Sequence, residues 1–398
     1  MGKSGAIHVK RQAPLYAEKN LRIVFSITLM AVLGVASITP AFPGMQSALN
    51  TSAEQIGLLI TVFTLPGVFL APALGVMADR YGRKRILVPS LLLFGVAGFL
   101  CGVIHTFHYL LLMRFFQGIG AASLGSLNVT LIGDLYTGRE RIAAMGYNAS
   151  VLSIGTASYP VIGGILAMFG WYFPFFLPAL ALPIGLVVLF SLQNPEPSAS
   201  QSLARYLRET LKSLANRQVT GLLLASVATF VLIYGSYLTY FPFLVDERFS
   251  APPYVIGLLM SSMSFTTAVT ASQLGKLSRR FSEVSLFRFA FVLYAISLAL
   301  IPFLANIYFL LGPLVIFGIA QGLNIPSIQT LLAGLAPIEY RGVFMSLNGM
   351  ALRTGQTIGP VLMGMVYAMA GLDAVYYAGA AISALMLVLV LAMIRPAG

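Results

Sequence analysis

Charge is scarce in this chain: Asp, Glu, Lys and Arg make up 9% of its 398 residues, against about 25% in ordinary soluble domains. Cysteine is scarcer still. The single Cys101 excludes an intramolecular disulfide and any Cys-x-x-Cys metal or redox pair. The three histidines, His8, His105 and His108, lie in the N-terminal tail or in one stretch between apolar runs. No nucleophile–base set stands out and no polar segment is long enough to form a signalling domain, which disfavours an enzyme or a sensor. Neither a metal nor a cofactor is expected.

Apolar sequence fills the rest: 58% of residues are hydrophobic and the mean hydropathy is +0.88. Runs of the roughly 20 residues that cross a bilayer as a helix occupy residues 22–42, 55–75, 86–105, 109–133, 142–166, 172–192, 219–244, 254–275, 284–304, 307–334, 342–367 and 374–394, numbered spans 1 to 12. They predict an all-α integral membrane protein with twelve transmembrane helices. The net charge of +12 raises nucleic acid as a partner, but that needs basic side chains gathered on one soluble face with stacking aromatics between them. Here every Lys and Arg except Arg114, Arg248 and Arg353 sits in a terminus or in alternate loops, or within a turn of one at the edge of a span, and by the positive-inside rule those face the cytoplasm. The expectation is a multi-pass protein of the cell (inner) membrane, in contact with lipid, with both termini cytoplasmic.

A polar stretch, residues 193–218, divides six spans from six and reads as a linker with a short amphipathic helix. The expected units are 1–192, 193–218 and 219–398. The two halves repeat. With an offset of 200, Gly155, Pro160 and Gly164 fall on Gly355, Pro360 and Gly364, and Asn148 falls on Asn348; with an offset of 204, Gln117 falls on Gln321. Two similar six-span halves are the pattern of transporters that rock about a site near the membrane midplane.

Three motifs stand out. The loop after span 2 reads Gly75-x-x-x-Asp79-Arg80-x-Gly82-Arg83-Lys84-Arg85. Span 4 carries Arg114, Gln117, Ala121, Gly125 and Asn128, spaced to share one helix face that should line a central cavity. Span 5 carries Gly155-x-x-x-Tyr159-Pro160-x-x-Gly163-Gly164. By these residues the chain resembles the major facilitator superfamily along its whole length, most closely its twelve-span drug:proton antiporters. The resemblance implies two pseudo-symmetric six-helix bundles and a monomer. It implies a gating role for the Gly75–Lys84 loop, with Asp79 holding the halves together near the start of span 11. It also associates Arg114 with proton relay, although an arginine bonded to the carbonyls of neighbouring helices is the alternative. Gly155, Pro160, Gly163, Gly164, Gly355 and Pro360 become a packed hinge. Tyr159 stands where the antiporter pattern has glycine, and the fuller Gly359-Pro360 pair occurs in span 11 instead.

The substrate is bounded by what the spans lack. None of the twelve acids falls inside a predicted span; Asp134 comes nearest, at the end of span 4. A cation would meet Arg114 and Arg353 and no countercharge, so the balance favours a small lipophilic or anionic substrate, with protons as the coupling ion implied by the resemblance. Cavity candidates are Arg114, Gln117, Asn128, Gln321, Asn324, Arg353 and Gln356. Tyr234 and Tyr237 would either stack on a substrate or pack between helices. The charge of Arg353 has only Ser153 as its counterpart, so the repeat itself does not require it.

Overall fold

Helices dominate the computed structural model, which describes residues 14–192, 216–336 and 341–394 and has no strand among them. Hydrocarbon offers backbone groups no partner, so each apolar run closes its own hydrogen bonds as a helix. The spans are Lys19–Leu49, Ala53–Tyr81, Arg83–Val103, Phe107–Leu135, Gly138–Ala167, Phe173–Ser191, Arg217–Phe249, Pro253–Leu277, Glu283–Phe303, Ile307–Leu335, Arg341–Ala370 and Leu372–Met393. Eleven are long and apolar enough to cross a membrane by length and composition alone. The other, span 11, has 30 residues, a rise of about 45 Å, and is diluted by the polar residues around Arg353. The amphipathic helix expected in the linker lies outside the described residues.

Local chemistry sets the ends. Ser52 and Gln55 cap span 2 reciprocally, the Gln55 N–H donating to the Ser52 hydroxyl and the Ser52 N–H to the Gln55 amide oxygen. Gly82 turns the chain between spans 2 and 3 at φ 97°, a backbone state that side chains resist. Span 1 breaks at a 3₁₀ turn, Thr39–Ala41, and span 7 widens into a π-turn over Leu232–Thr239.

Packing repeats with the sequence. In the first half span 1 lies on span 5, spans 2 and 3 on span 4, and span 3 on span 6; in the second, spans 7 and 11, 8 and 10, 9 and 10, and 9 and 12 pair likewise. Two main buried clusters form, one around Leu33, Leu59, Phe94 and Leu131 that also takes in Tyr240, Phe243 and Met363 of the second half, the other within the second half around Phe287, Phe291, Tyr294 and Phe317. Buried polar links repeat as well. Thr28 donates to Asn148 (2.5 Å) and Asn128 donates to Thr28 (2.8 Å), tying spans 1, 4 and 5. Ser226 donates to Asn348 (2.5 Å) and Thr229 to Asn324 (3.0 Å), tying spans 7, 10 and 11.

The halves meet along two helix pairs, span 2 with span 11 and span 5 with span 8. Their close glycine contacts lie toward the side opposite the basic loops. There Gly57 of span 2 lies against Thr239 and Pro360, Gly164 of span 5 against the Pro253 carbonyl, and Gly257 of span 8 against the Pro160 carbonyl. Continuing along the same helix faces toward the basic loops, a β-carbon added at Gly75, Gly146, Gly275 or Gly349 would meet nothing within 4 Å. A cleft between the bundles therefore opens to the basic face and is sealed at the far face.

Candidate functional site

The two interior arginines are held differently. Arg114 is fully buried. Its Nε donates to the Leu59 carbonyl (3.0 Å), its Nη1 to the Gly34 carbonyl (2.9 Å) and to Gln117 (2.7 Å), and its guanidinium lies 4.1 Å from the Phe63 ring centre. The break in span 1 explains why Gly34 can accept: Ile38 N–H, its expected helical donor, bonds the Val35 carbonyl instead. Arg114 thus pins spans 1, 2 and 4 to one another. One of its nitrogens, Nη2, and the amide nitrogen of Gln117 are enclosed without partners.

This corrects the expectation for span 4. Its shared face does not line the cleft as a whole, because Arg114, Gln117 and Asn128 are consumed in the bundle interior; Ala121 is half-buried and only Gly125 is exposed. An unpaired guanidinium in hydrocarbon is so costly that the nearest carbonyls capture it. Asn324 and Tyr237 are likewise buried: Asn324 accepts from Thr229, and Tyr237 donates to the Met260 carbonyl (2.7 Å) between the rings of Phe241 and Phe317.

Arg353 reaches the other way. From span 11 it crosses to the first half, where Nη2 donates to the Ala122 carbonyl of span 4 (3.2 Å) and the guanidinium lies over Gly67 of span 2 and near Gly125 of span 4. A β-carbon at Gly67 would overlap Nη1, so the glycine makes the crossing possible. One turn on, the hydroxyls of Thr357 and Thr64 are 2.9 Å apart, and Thr61 donates to the Thr357 carbonyl (3.0 Å). These contacts mark the depth at which the bundles part. Gln356, Tyr234 and Gln321 are half-buried, the last accepting a long hydrogen bond from Thr267 of span 8 (3.4 Å). The partners Gly67, Ala122, Thr61 and Thr64 were missed in the sequence, although two threonines three apart in an apolar span are a visible polar stripe.

The remaining motifs sort by face. Pro160 and Gly164 lie on the span 5–span 8 seam and Pro360 on the span 2–span 11 seam; Gly155 packs on Leu29 and Val32, Gly163 on the Ser37 backbone, and Gly355 on the Val227 backbone within its own half. At the basic face Arg83 pairs with both Asp79 and Asp134, and Arg80 lies over Tyr81. The described partners of Asp79 and Arg83 are in the first half; the side chains at the start of span 11 lie outside the described residues, and with them the expected clasp. Asp134 is a pairing partner for Arg83 rather than a cleft acid. At the far seam Glu54 has a carboxyl oxygen enclosed without a partner, beside Tyr240. No group of metal-ligating side chains occurs among the described residues.

Two six-helix bundles around a cleft that opens on one face define a membrane transporter. Comparison with known proteins gives the family: the model described as Major Facilitator Superfamily matches residues 24–252 and 244–398. The chain belongs to this superfamily, whose members transport rather than catalyse. It is similar to "Multidrug resistance protein 1" of Bacillus subtilis, 27% identical over 359 residues that cover 88% of this chain and 90% of the relative. It is also similar to the "Bacillibactin exporter" of the same organism, 26% identical over 360 residues, covering 86% and 88%. Among solved structures it shares the fold of the nucleoside transporter NupG, with a TM-score of 0.78 and 15% identity, covering 96% of this chain and all of that one.

Proposed function

We propose that the protein exports small lipophilic compounds from the cytoplasm by alternating access, driven by protons. The observation that carries this is the one-sided cleft. The close glycine contacts between the halves lie on the far side of Arg353, the glycines beyond it have open space, and that open face is the one whose basic loops the positive-inside rule assigns to the cytoplasm. This is the state in which an exporter loads. The similar multidrug resistance protein and bacillibactin exporter support the outward direction. The test is uptake of a lipophilic dye into inverted membrane vesicles on imposing a pH gradient. Accumulation that a protonophore abolishes is expected; no accumulation across a dye panel overturns export, and accumulation indifferent to the protonophore overturns proton drive.

A second reading, transport of an organic anion or amphipathic lipid, is favoured by Arg353. Among the described residues no carboxylate pairs with it, so a negatively charged substrate would meet an uncommitted cation at the apex of the cleft.

A further inference from the structure

Arg353 uses little of its bonding capacity. A guanidinium carries five N–H groups, and a single hydrogen bond, from Nη2 to the Ala122 carbonyl, is made by this one. Nε and Nη1 have no partner among the described residues and are not sealed from solvent. The contrast with Arg114, enclosed and bonded three times, separates a structural arginine from an available one. Tyr234 is half-buried in the π-turn of span 7, which packs on span 11, and Gln356 follows three positions along span 11, on the same face. A planar fork of donors flanked by an aromatic ring and an amide suits a carboxylate, sulfonate or phosphonate carried on a flat apolar body.

The one bond that Arg353 does make crosses between the bundles, at the depth where they part. An anion gripped by both Nη atoms centres the guanidinium plane on itself, and the long 3.2 Å bond from Nη2 to the Ala122 carbonyl is the contact this reorientation breaks. We propose that Arg353 is the subsite for the anionic group of an amphipathic substrate, and that occupying it releases the tether between span 11 and span 4. Substrate binding is thereby coupled to the movement of one bundle against the other. Gly67 is part of the device, because its missing side chain lets the guanidinium lie across the seam.

The subsite takes its location from the transport reading above, but its test needs no transport. Purified protein in detergent is titrated with 1-pyrenebutyrate and with 1-pyrenebutanol, which share the pyrene body and differ in charge, and binding is read from the rise in thermal midpoint. The carboxylate is expected to bind at least about tenfold more tightly than the alcohol, the scale of one charge-assisted bond. Arg353→Gln should bind the two alike while keeping the alcohol, Arg353→Lys should keep part of the preference, and Gly67→Ala should weaken the carboxylate alone. Equal binding by the unmodified protein, or an undiminished preference in Arg353→Gln, overturns the subsite. For the tether, spin labels at Gly75→Cys and Gly349→Cys report the distance between spans 2 and 11; the native Cys101 is buried. Pyrenebutyrate should shift that distance in the parent and not in Arg353→Gln, and an unshifted parent overturns the release. Should vesicles fail to export while the binding preference holds, the export reading falls and the subsite stands.

Discussion

Arg114→Met distinguishes a tie between helices from a proton relay. Methionine approximates the length of arginine and fills irregular gaps, so the change deletes the bonds more than the volume. Three bonds go: those to the Leu59 and Gly34 carbonyls and to Gln117. Side-chain hydrogen bonds inside membrane proteins average about 0.6 kcal/mol and reach about 1.7 kcal/mol, giving about 2 to 5 kcal/mol for the three. Losing a buried charge offsets part of this, but the Gly34 carbonyl, whose helical donor has turned to Val35, is left bare in an apolar site. A net loss of about 2 kcal/mol is expected, a shift of about 30-fold in the unfolding equilibrium. The protein carries a single tryptophan, Trp171, so unfolding in mixed micelles of increasing dodecyl sulfate can be followed by its fluorescence. An unfolding curve identical to the parent, together with lost transport, would refute the tie and leave the relay.

Two further outcomes test the seam and the repeat. Gly257→Leu drives a side chain into the Pro160 carbonyl and should wedge the far face apart, lengthening the distance between spin labels at positions 47 and 305; an unchanged distance means the seam is not set by this contact. Asn148→Ala and Asn348→Ala each remove the acceptor of a buried hydroxyl, Thr28 or Ser226, and each should cost about 1 kcal/mol in the same unfolding assay. A large effect from one and none from the other would show that the equivalence of the halves is not mechanical.

Much of the architecture was legible because a membrane simplifies the code. Apolar length marks a span, basic loops mark a side, and an offset of 200 residues marks the repeat. Even the hydrogen-bond layer left a trace, in Asn148 falling on Asn348, although their partners Thr28 and Ser226 are unremarkable hydroxyls in apolar runs. The cleft was harder. Helical spacing groups Arg114, Gln117 and Asn128 with Gly125 on one face, yet the rotation of span 4 against three neighbours decides which part of that face is open. That rotation depends on side chains far away in sequence. Arg353 stands out at either level, because nothing nearby in the chain could neutralise it; that its reach depends on Gly67 required the folded molecule.

The seam at the far face has a consequence for how the two ends of the cleft answer to their surroundings. It is built from glycine and proline backbone laid on backbone, an interaction of short range and no net charge. At the opposite end stand Asp79, Arg83 and Asp134, paired through charge and partly exposed. Dissolved ions weaken exposed pairs within a few ångströms of water and leave close van der Waals contact untouched. Ionic strength therefore acts on the charge pairs, those at the basic end and the Arg248–Asp373 pair at the far face, and a salt titration becomes a way of addressing them without loosening the backbone seam itself.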